Sequence, residues 1–347
     1  MSFVSGNPPW FAFIVHPRDL PELIAMPGAS LVYDHSADDA DFIAKALGNP
    51  PVVLADVVFS GSAVRGELIG IGRLPEAMLT TDAHRAVAAA VDLAVERGAQ
   101  VVGLGALTAP ATAGGTALLK RLPAGITLTN GNALTAAVVR RNVQEAITKL
   151  GRERRPRVAL LGATGSVGIA LSRLLADEGL ELTLIGASMG RIERTLGDLL
   201  AAGHTGAAGL DALADADVGV ILTNASDARV APDTVAPGTI LIDVAQPPNV
   251  ADEDLPAFAA AGVEVAPGGV VRIPGYSCRQ DFGLPSPQDT FACLAETYVL
   301  AREGLREGST GTPAPGYVEL IERAAGRQGV TTLPLFAAET PKSEVGV

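Results

Sequence analysis

The fold class predicted for this 347-residue sequence is α/β in two domains, the second a doubly wound parallel sheet. Three observations predict it. Short apolar runs alternate with stretches at helical spacing along most of the chain. A charged segment closed by a proline, RERRP at 152–156, breaks that rhythm. Directly after it, a strand-like run at 157–161 (RVALL) leads into GATGSVG at 162–168. Glycines at such a corner let the backbone turn tightly and approach a pyrophosphate, while the next helical turn aims free N–H groups at it. The spacing is looser than G-x-G-x-x-G, so its context carries the weight. That context is a strand before, helical apolar spacing after (Ile169, Leu171, Leu174, Leu175) and a second strand at 181–186.

The first half reads as strands at 11–15, 52–59, 67–71, 101–107 and 126–128, with helices at 82–97 and 133–150. Thr81 and Asp82 begin the first helix, its alanine-rich interior favours helix, and Gly98 stops it. Gly151 ends the second. Residues 1–151 are therefore expected to be an α/β substrate domain, and 152–156 a linker. Residues 157–285 are expected to form a Rossmann-type domain, with further strands at 218–222, 240–244 and 263–266. Ser286, Pro287 and Asp289 read as a cap, a first-turn proline and a dipole-matched acid opening a helix at 287–302. With a short helix at 317–325, residues 286–337 become a C-terminal helical part, followed by a loose tail at 338–347.

Apolar residues make up 48% of the chain, enough for two ordinary cores. A net charge of −12 argues against nucleic-acid binding, which needs a basic face. Apolar stretches are broken before they reach bilayer length, so no membrane span is expected. Two cysteines, Cys278 and Cys293, form no C-x-x-C pair, and no signal-peptide pattern is seen; a reducing, cytoplasmic setting is expected. The four histidines show no metal-ligand spacing, so no metal is expected. A homodimer suits this architecture, although no heptad or exposed stripe marks one.

The glycine turn nominates Gly162, Thr164, Gly165, Ser166, Val167 and Gly168 as cofactor contacts. NAD-binding strands usually end in an acid that accepts from the ribose 2′-OH; here the second strand runs into Gly186, Ala187, Ser188, Met189, Gly190 and Arg191. With no acid until Glu193, Ser188 and Arg191 suit a 2′-phosphate, and NADPH is the expected cofactor. Arg194 reads instead as part of a solvated helix face. Thr223, Asn224 and Ala225 end the next strand and suit a backbone beside the cofactor, or are plain turn residues. Gly268 and Gly269 allow close approach to the nicotinamide, or simply make a turn.

Cys293 lies in TFACLAE. A free thiol is only about 3% ionised at pH 7, so a catalytic cysteine needs assistance. Counted from Ser286 it falls in the second helical turn, beyond the reach of the dipole. His16, at the end of the first strand, is the candidate assistant and proton donor, and a structural histidine is the alternative. Asn132 and Thr135, at a helix start, are candidate oxyanion donors; Asn132 reads equally well as that helix's cap.

Taken in order, FIVHPRD, LGALTA, TNGNALTA, LLGATGSVG, LIDVAQPPNV, PGGVV and FACLAE resemble the long-chain acyl-(acyl-carrier-protein) reductases and their bacterial relatives described as predicted amino-acid dehydrogenases. The similarity runs from Phe11 to about Ala301. It implies that Cys293 takes an acyl group as a thioester and that NADPH reduces it to a fatty aldehyde. The carrier would be an acyl carrier protein or coenzyme A. The sequence departs from the family pattern at Leu134, Ser188 and Pro248, which bears on the acyl substrate rather than on fold or cofactor. Arg140, Arg141, Lys149, Arg152, Arg154, Arg155 and Arg157 are expected to dock an acidic carrier, or else are solvated charge. Two further readings stay open. One is a non-covalent NADP-dependent hydroxy- or amino-acid oxidoreductase on the two-domain plan of shikimate dehydrogenase; the other is a nucleotide sensor without chemistry.

Overall fold

The computed structural model describes residues 9–78, 80–223, 225 and 228–336. The chain begins with β1 (Trp10–Val15), then three short helices, α1 (Leu20–Ala25), α2 (Ala29–Tyr33) and α3 (Asp39–Ala46). Side chains of Asp19 and Asp38 accept from the first turns of α1 and α3 and so start them. Next come β2 (Val52–Phe59), β3 (Arg65–Gly70), α4 (Pro75–Met78), α5 (Ala83–Glu96), β4 (Val101–Leu104), β5 (Thr127–Thr129) and the long α6 (Asn132–Leu150). β1 runs parallel to both β3 and β4, with Phe13 opposite Leu68 on one side and Gly103 on the other. The expected strand at 101–107 ends early, because the chain bends at Gly105 into a 3-10 turn, Ala106–Thr108.

The second half follows as β6 (Arg157–Leu161), α7 (Ser166–Asp177), β7 (Glu181–Ile185), α8 (Met189–Ala201) and β8 (Thr205–Ala207). After these come β9 (Val218–Ile221), β10 (Ile240–Asp243), α9 (Leu255–Ala260) and β11 (Glu264–Pro267). These strands form one parallel sheet in the order β11-β10-β9-β6-β7-β8, which reverses direction of winding between β6 and β9. It is a doubly wound Rossmann-type sheet, as the sequence predicts. Strands with both faces covered read as continuous apolar runs, which is why β6, β9 and β10 are legible.

The C-terminal part departs from expectation. β12 (Val270–Arg272), β13 (Tyr276–Cys278) and β14 (Asp289–Phe291) precede α10 (Ala292–Glu303), α11 (Pro315–Arg327) and β15 (Thr331–Thr332). β13 adds antiparallel to β2 and completes the first sheet, β13-β2-β3-β1-β4-β5. The chain thus returns to the first domain well before 285. Residues 286–291 do not open a helix: β14 pairs antiparallel with β12, and Asp289 accepts from Arg272 Nε at 2.8 Å across that pair. A cross-strand partner outcompetes the local capping signal. α10 is buried along almost its whole length between the first sheet, α6 and α11. There Tyr298 stacks on Phe59, with ring centroids 4.1 Å apart.

The linker at 152–156 is anchored. Asp217, 1% exposed just before β9, accepts from Arg154 at 2.6 and 2.7 Å, from the Arg157 N–H at 2.8 Å, and from Arg152. Burial pulls its pKa upward, but these hydrogen bonds and the two guanidinium charges win and hold the carboxyl below the usual range. Stabilisation from a lowered carboxyl is present above the unfolded value near ~3.9 and fades as pH falls through the folded one. Asp217→Asn is therefore expected to cost about 2 kcal/mol at pH 7, with the difference from the parent shrinking toward pH 3 in urea titrations.

Most of the basic residues expected to dock an acidic carrier have acidic partners within the chain. Arg140 and Arg141 pair with Glu322 on α11 at 2.6 and 2.7 Å, Lys149 with Glu264 at 2.6 Å, and Arg157 with Asp215 at 3.5 Å. With Arg152 and Arg154 on Asp217, these pairs tie α6 to α11 and β11, and the linker to the segment before β9. No helix is long and apolar enough to cross a membrane among the described residues.

Candidate active site

A cleft of about 680 Å³ runs between the two sheets at their carboxyl ends. On one side lies the glycine turn. Gly162 sits at φ +90 with its N–H and that of Ala163 donating to Ile185 O at 2.9 and 3.0 Å, which folds the chain sharply off β6. A Cβ on Gly168 would lie 2.3 Å from Gly162 O, so α7 packs this close to the turn only without a side chain there. Gly165 caps α7 and no side chain fills the cap. The N–H groups of Ser166, Val167 and Gly168 consequently have no acceptor among the described residues, and all three residues line the cleft. Such a helix start is a ready anion cradle.

The outer contacts are mixed. Thr164, 8% exposed, and Arg191 line the cleft. Ser188 is the N-terminal cap residue of α8, outside the lining, with no side-chain capping bond. Thr223 Oγ1 accepts from the Ala225 N–H at 3.2 Å, which makes the pair turn residues outside the lining. Asn224 lies outside the described residues, as does the expected tail at 338–347. Gly268 and Gly269 line the floor, where Gly269 N–H donates to Asn142 of α6 at 3.1 Å and its carbonyl accepts from Ala292 at 2.9 Å.

That last bond sets the start of α10, and Cys293 with it. Because β14 delays the helix to Ala292, Cys293 occupies the first turn rather than the second. It is half-buried and opens on the cleft that holds the glycine turn. Gly131, at φ +70, caps α6 directly against it: a Cβ there would fall 2.3 Å from the Cα and Cβ of Cys293. Burial pushes the Cys293 thiol up to about 12, and the negative charge of Glu296 adds to the rise.

His16 also lines the cleft, yet it does not assist the thiol. Its Nδ1 lies 2.9 Å from Pro17 O, Nε2 accepts from the Leu107 N–H at 3.3 Å, and the residue is 6% exposed. Burial holds its pKa below the usual value, so at pH 7 the ring is neutral. It is a brace between β1 and the bend after β4. Asn132 is the first residue of α6 rather than its cap; its Nδ2 donates to Ser166 Oγ at 2.8 Å, joining α6 to α7 across the cleft. Its second amide hydrogen has no acceptor among the described residues. Thr135 donates its hydroxyl hydrogen to Gly131 O at 2.9 Å, so it has none left for an oxyanion in this geometry.

Sequence reading missed a buried polar network. Glu296, 0% exposed on α10, accepts from Leu134 N–H and Ser309 Oγ at 2.8 Å and from Thr129 Oγ1 at 2.5 Å. Asn130 donates to the carbonyls of Gly114 and Gly311 at 3.0 and 2.9 Å, and Ser166 donates to Gly311. The signal was present as one glutamate in a mostly apolar stretch, ACLAETYVLA.

No family model matches this chain. A curated relative, the aminotransferase PigE of Serratia sp., is 30% identical over 236 residues, which is 65% of this chain and 27% of that protein. The chain therefore spans about a quarter of the length of this relative. Among solved structures, quinate dehydrogenase from Corynebacterium glutamicum in complex with NAD is similar at 15% identity, covering 92% of this chain and all of that one, with a TM-score of 0.42. The quinone oxidoreductase from Thermus thermophilus is similar at 17% identity over 39% of this chain and 43% of that one, TM-score 0.29.

Proposed function

We propose that this chain is a nicotinamide-dependent oxidoreductase that reduces an acyl thioester to an aldehyde through Cys293. The observation that carries this reading is that the open N-terminus of α7 and Cys293 face one cleft. The donor set fits a dinucleotide: unpaired N–H groups for the pyrophosphate and a doubly wound sheet whose switch point adjoins the turn. Arg191 in the lining, with no acid ending β7, favours the 2′-phosphate of NADPH. Bound there, NADPH supplies a hydride.

Cys293 forms a C–S bond to the incoming acyl carbon as the C–S bond to the carrier breaks; the proton lost from Cys293 leaves with the carrier thiol. One thioester is exchanged for another, so the step is nearly neutral. Hydride addition places negative charge on the former carbonyl oxygen, toward which the second amide hydrogen of Asn132 can turn. Collapse breaks the C–S bond, releasing aldehyde and restoring the thiol once a proton is taken from solvent. The carrier is an acyl carrier protein or coenzyme A. An aldehyde is an amino acceptor, which suits a relative that bears the name aminotransferase.

One observation favours a second reading, non-covalent hydroxy- or amino-acid oxidation. A thiol pushed up to about 12, with no cation acting on it, is a poor resting nucleophile. Mass spectrometry after mixing the full chain with a long-chain acyl-CoA, without NADPH, separates the two. The expected result is an acyl adduct on the Cys293 peptide that disappears, with release of aldehyde, when NADPH is added. Oxidation of a hydroxy acid by NADP⁺ with no adduct at any acyl length would replace this reading by the second.

A further inference from the structure

Resting on the nicotinamide-dependent reading above, we propose that Asn249 is the positioning residue for the nicotinamide end of the cofactor. It latches the loop after β10 to the loop after β9 and so fixes the cleft wall between the glycine turn and Cys293. Val244, Ala245 and Gln246 line the cleft from the first of these loops, and Leu222 from the second. Both loops leave the carboxyl ends of neighbouring parallel strands, where a doubly wound sheet takes its ligand.

The wall is held by buried polar groups. Asp243, 6% exposed at the end of β10, accepts from the N–H groups of Ala245 at 3.0 Å, Asn249 at 2.8 Å and Val250 at 2.9 Å, which curls the loop back over the strand end. Asn249, 5% exposed, then reaches the other loop. Its Oδ1 accepts from the Val230 N–H at 3.0 Å, and its Nδ2 donates to Ala228 O at 3.0 Å and more weakly to Thr223 O at 3.4 Å. An apolar side chain in its place would leave a buried N–H and carbonyl unpaired and the two loops unjoined.

The latched loops touch both ends of the site. A Cβ on Gly162 would lie 3.1 Å from the backbone of Leu222, so the loop after β9 rests against the glycine turn. At the other end Gly268 N–H donates to Asp243 O at 2.8 Å, and a Cβ on Gly269 would lie 3.3 Å from Val244. Gly269 O in turn holds Ala292, the neighbour of Cys293. A dinucleotide with its pyrophosphate on the start of α7 and its ring toward Cys293 runs along 244–246. Asn249 is itself outside the cleft lining, so it acts through the loop it holds.

The test compares NADPH with 2′-phospho-ADP-ribose, which lacks only the nicotinamide ring, by isothermal titration calorimetry on the full chain and on Asn249→Ala. The variant is expected to bind NADPH about tenfold more weakly and 2′-phospho-ADP-ribose as the parent does. An unchanged NADPH affinity overturns the proposal. So does an equal loss of both ligands in a variant that melts with the parent, since a merely structural role gives that result. Hydrogen–deuterium exchange on the parent is the second measurement and needs no variant. NADPH is expected to slow exchange across 244–250 far more than 2′-phospho-ADP-ribose; equal protection by the two, or none from NADPH, overturns the proposal. Failure of the cofactor reading shows in the parent, which would then bind neither ligand, and sinks both. Binding needs no acyl substrate, so the outcome does not depend on whether the parent makes aldehyde.

Discussion

Cys293→Ser is expected to lower aldehyde formation from an acyl thioester on the order of 10³-fold while leaving NADPH affinity unchanged. A serine hydroxyl fits the space beside Gly131, so the cleft keeps its shape. It gives an oxygen ester in place of a thioester, which removes the near-neutral exchange and leaves a carbonyl less ready to accept hydride. Steady-state rates with an acyl-CoA, together with fluorescence titration of NADPH, check both parts. Survival of most of the aldehyde activity would remove the covalent route. The parent's rate is expected to climb through pH 9, because burial and Glu296 keep the thiol protonated at lower pH.

Gly131→Ala is expected to have the largest effect on stability, about 3 kcal/mol by chemical denaturation. Two costs add. A left-handed backbone at φ +70 disfavours any Cβ by roughly 1–2 kcal/mol. The new carbon would also lie 2.3 Å from backbone and Cβ atoms of Cys293, and overpacking at such a contact costs a further ~1–3 kcal/mol. Relief requires α10 to slide away from α6, which moves Cys293 and strains the Glu296 hydrogen bonds. Aldehyde formation is expected to fall along with stability, and an alanine variant as stable as the parent would contradict so close a contact.

The second domain was legible because its signals are local. A parallel strand covered on both faces must be apolar throughout, and a strand that hands a phosphate to a helix must use glycine, so β6, the turn at 162–168 and α7 are written in consecutive residues. Cys293 was legible only as a candidate. Its helix start was misread because Ser286, Pro287 and Asp289 carry capping chemistry that the pairing of β14 with β12 overrides. Likewise β13 reads as loop until β2 is known to offer it an edge.

The basic stretch shows the same division. Its charges are visible in sequence, but their acidic partners, Asp217, Glu264 and Glu322, lie far along the chain, and only folding brings them together. His16 and Thr135 are in the cleft as expected, yet long-range or backbone hydrogen bonds have already taken the hydrogens and lone pairs that chemistry would need.

By itself, then, the sequence determined the α/β class and the position of the glycine turn and marked Cys293 as a candidate, since periodicity and glycine spacing are properties of neighbouring residues. The tertiary structure alone decided where α10 begins, that the His16 ring nitrogens are taken by backbone groups, and that most of the basic residues pair with distant acids. Those outcomes depend on pairing between residues far apart in sequence and on burial, which sets the cost of a charge and is a property of the folded chain.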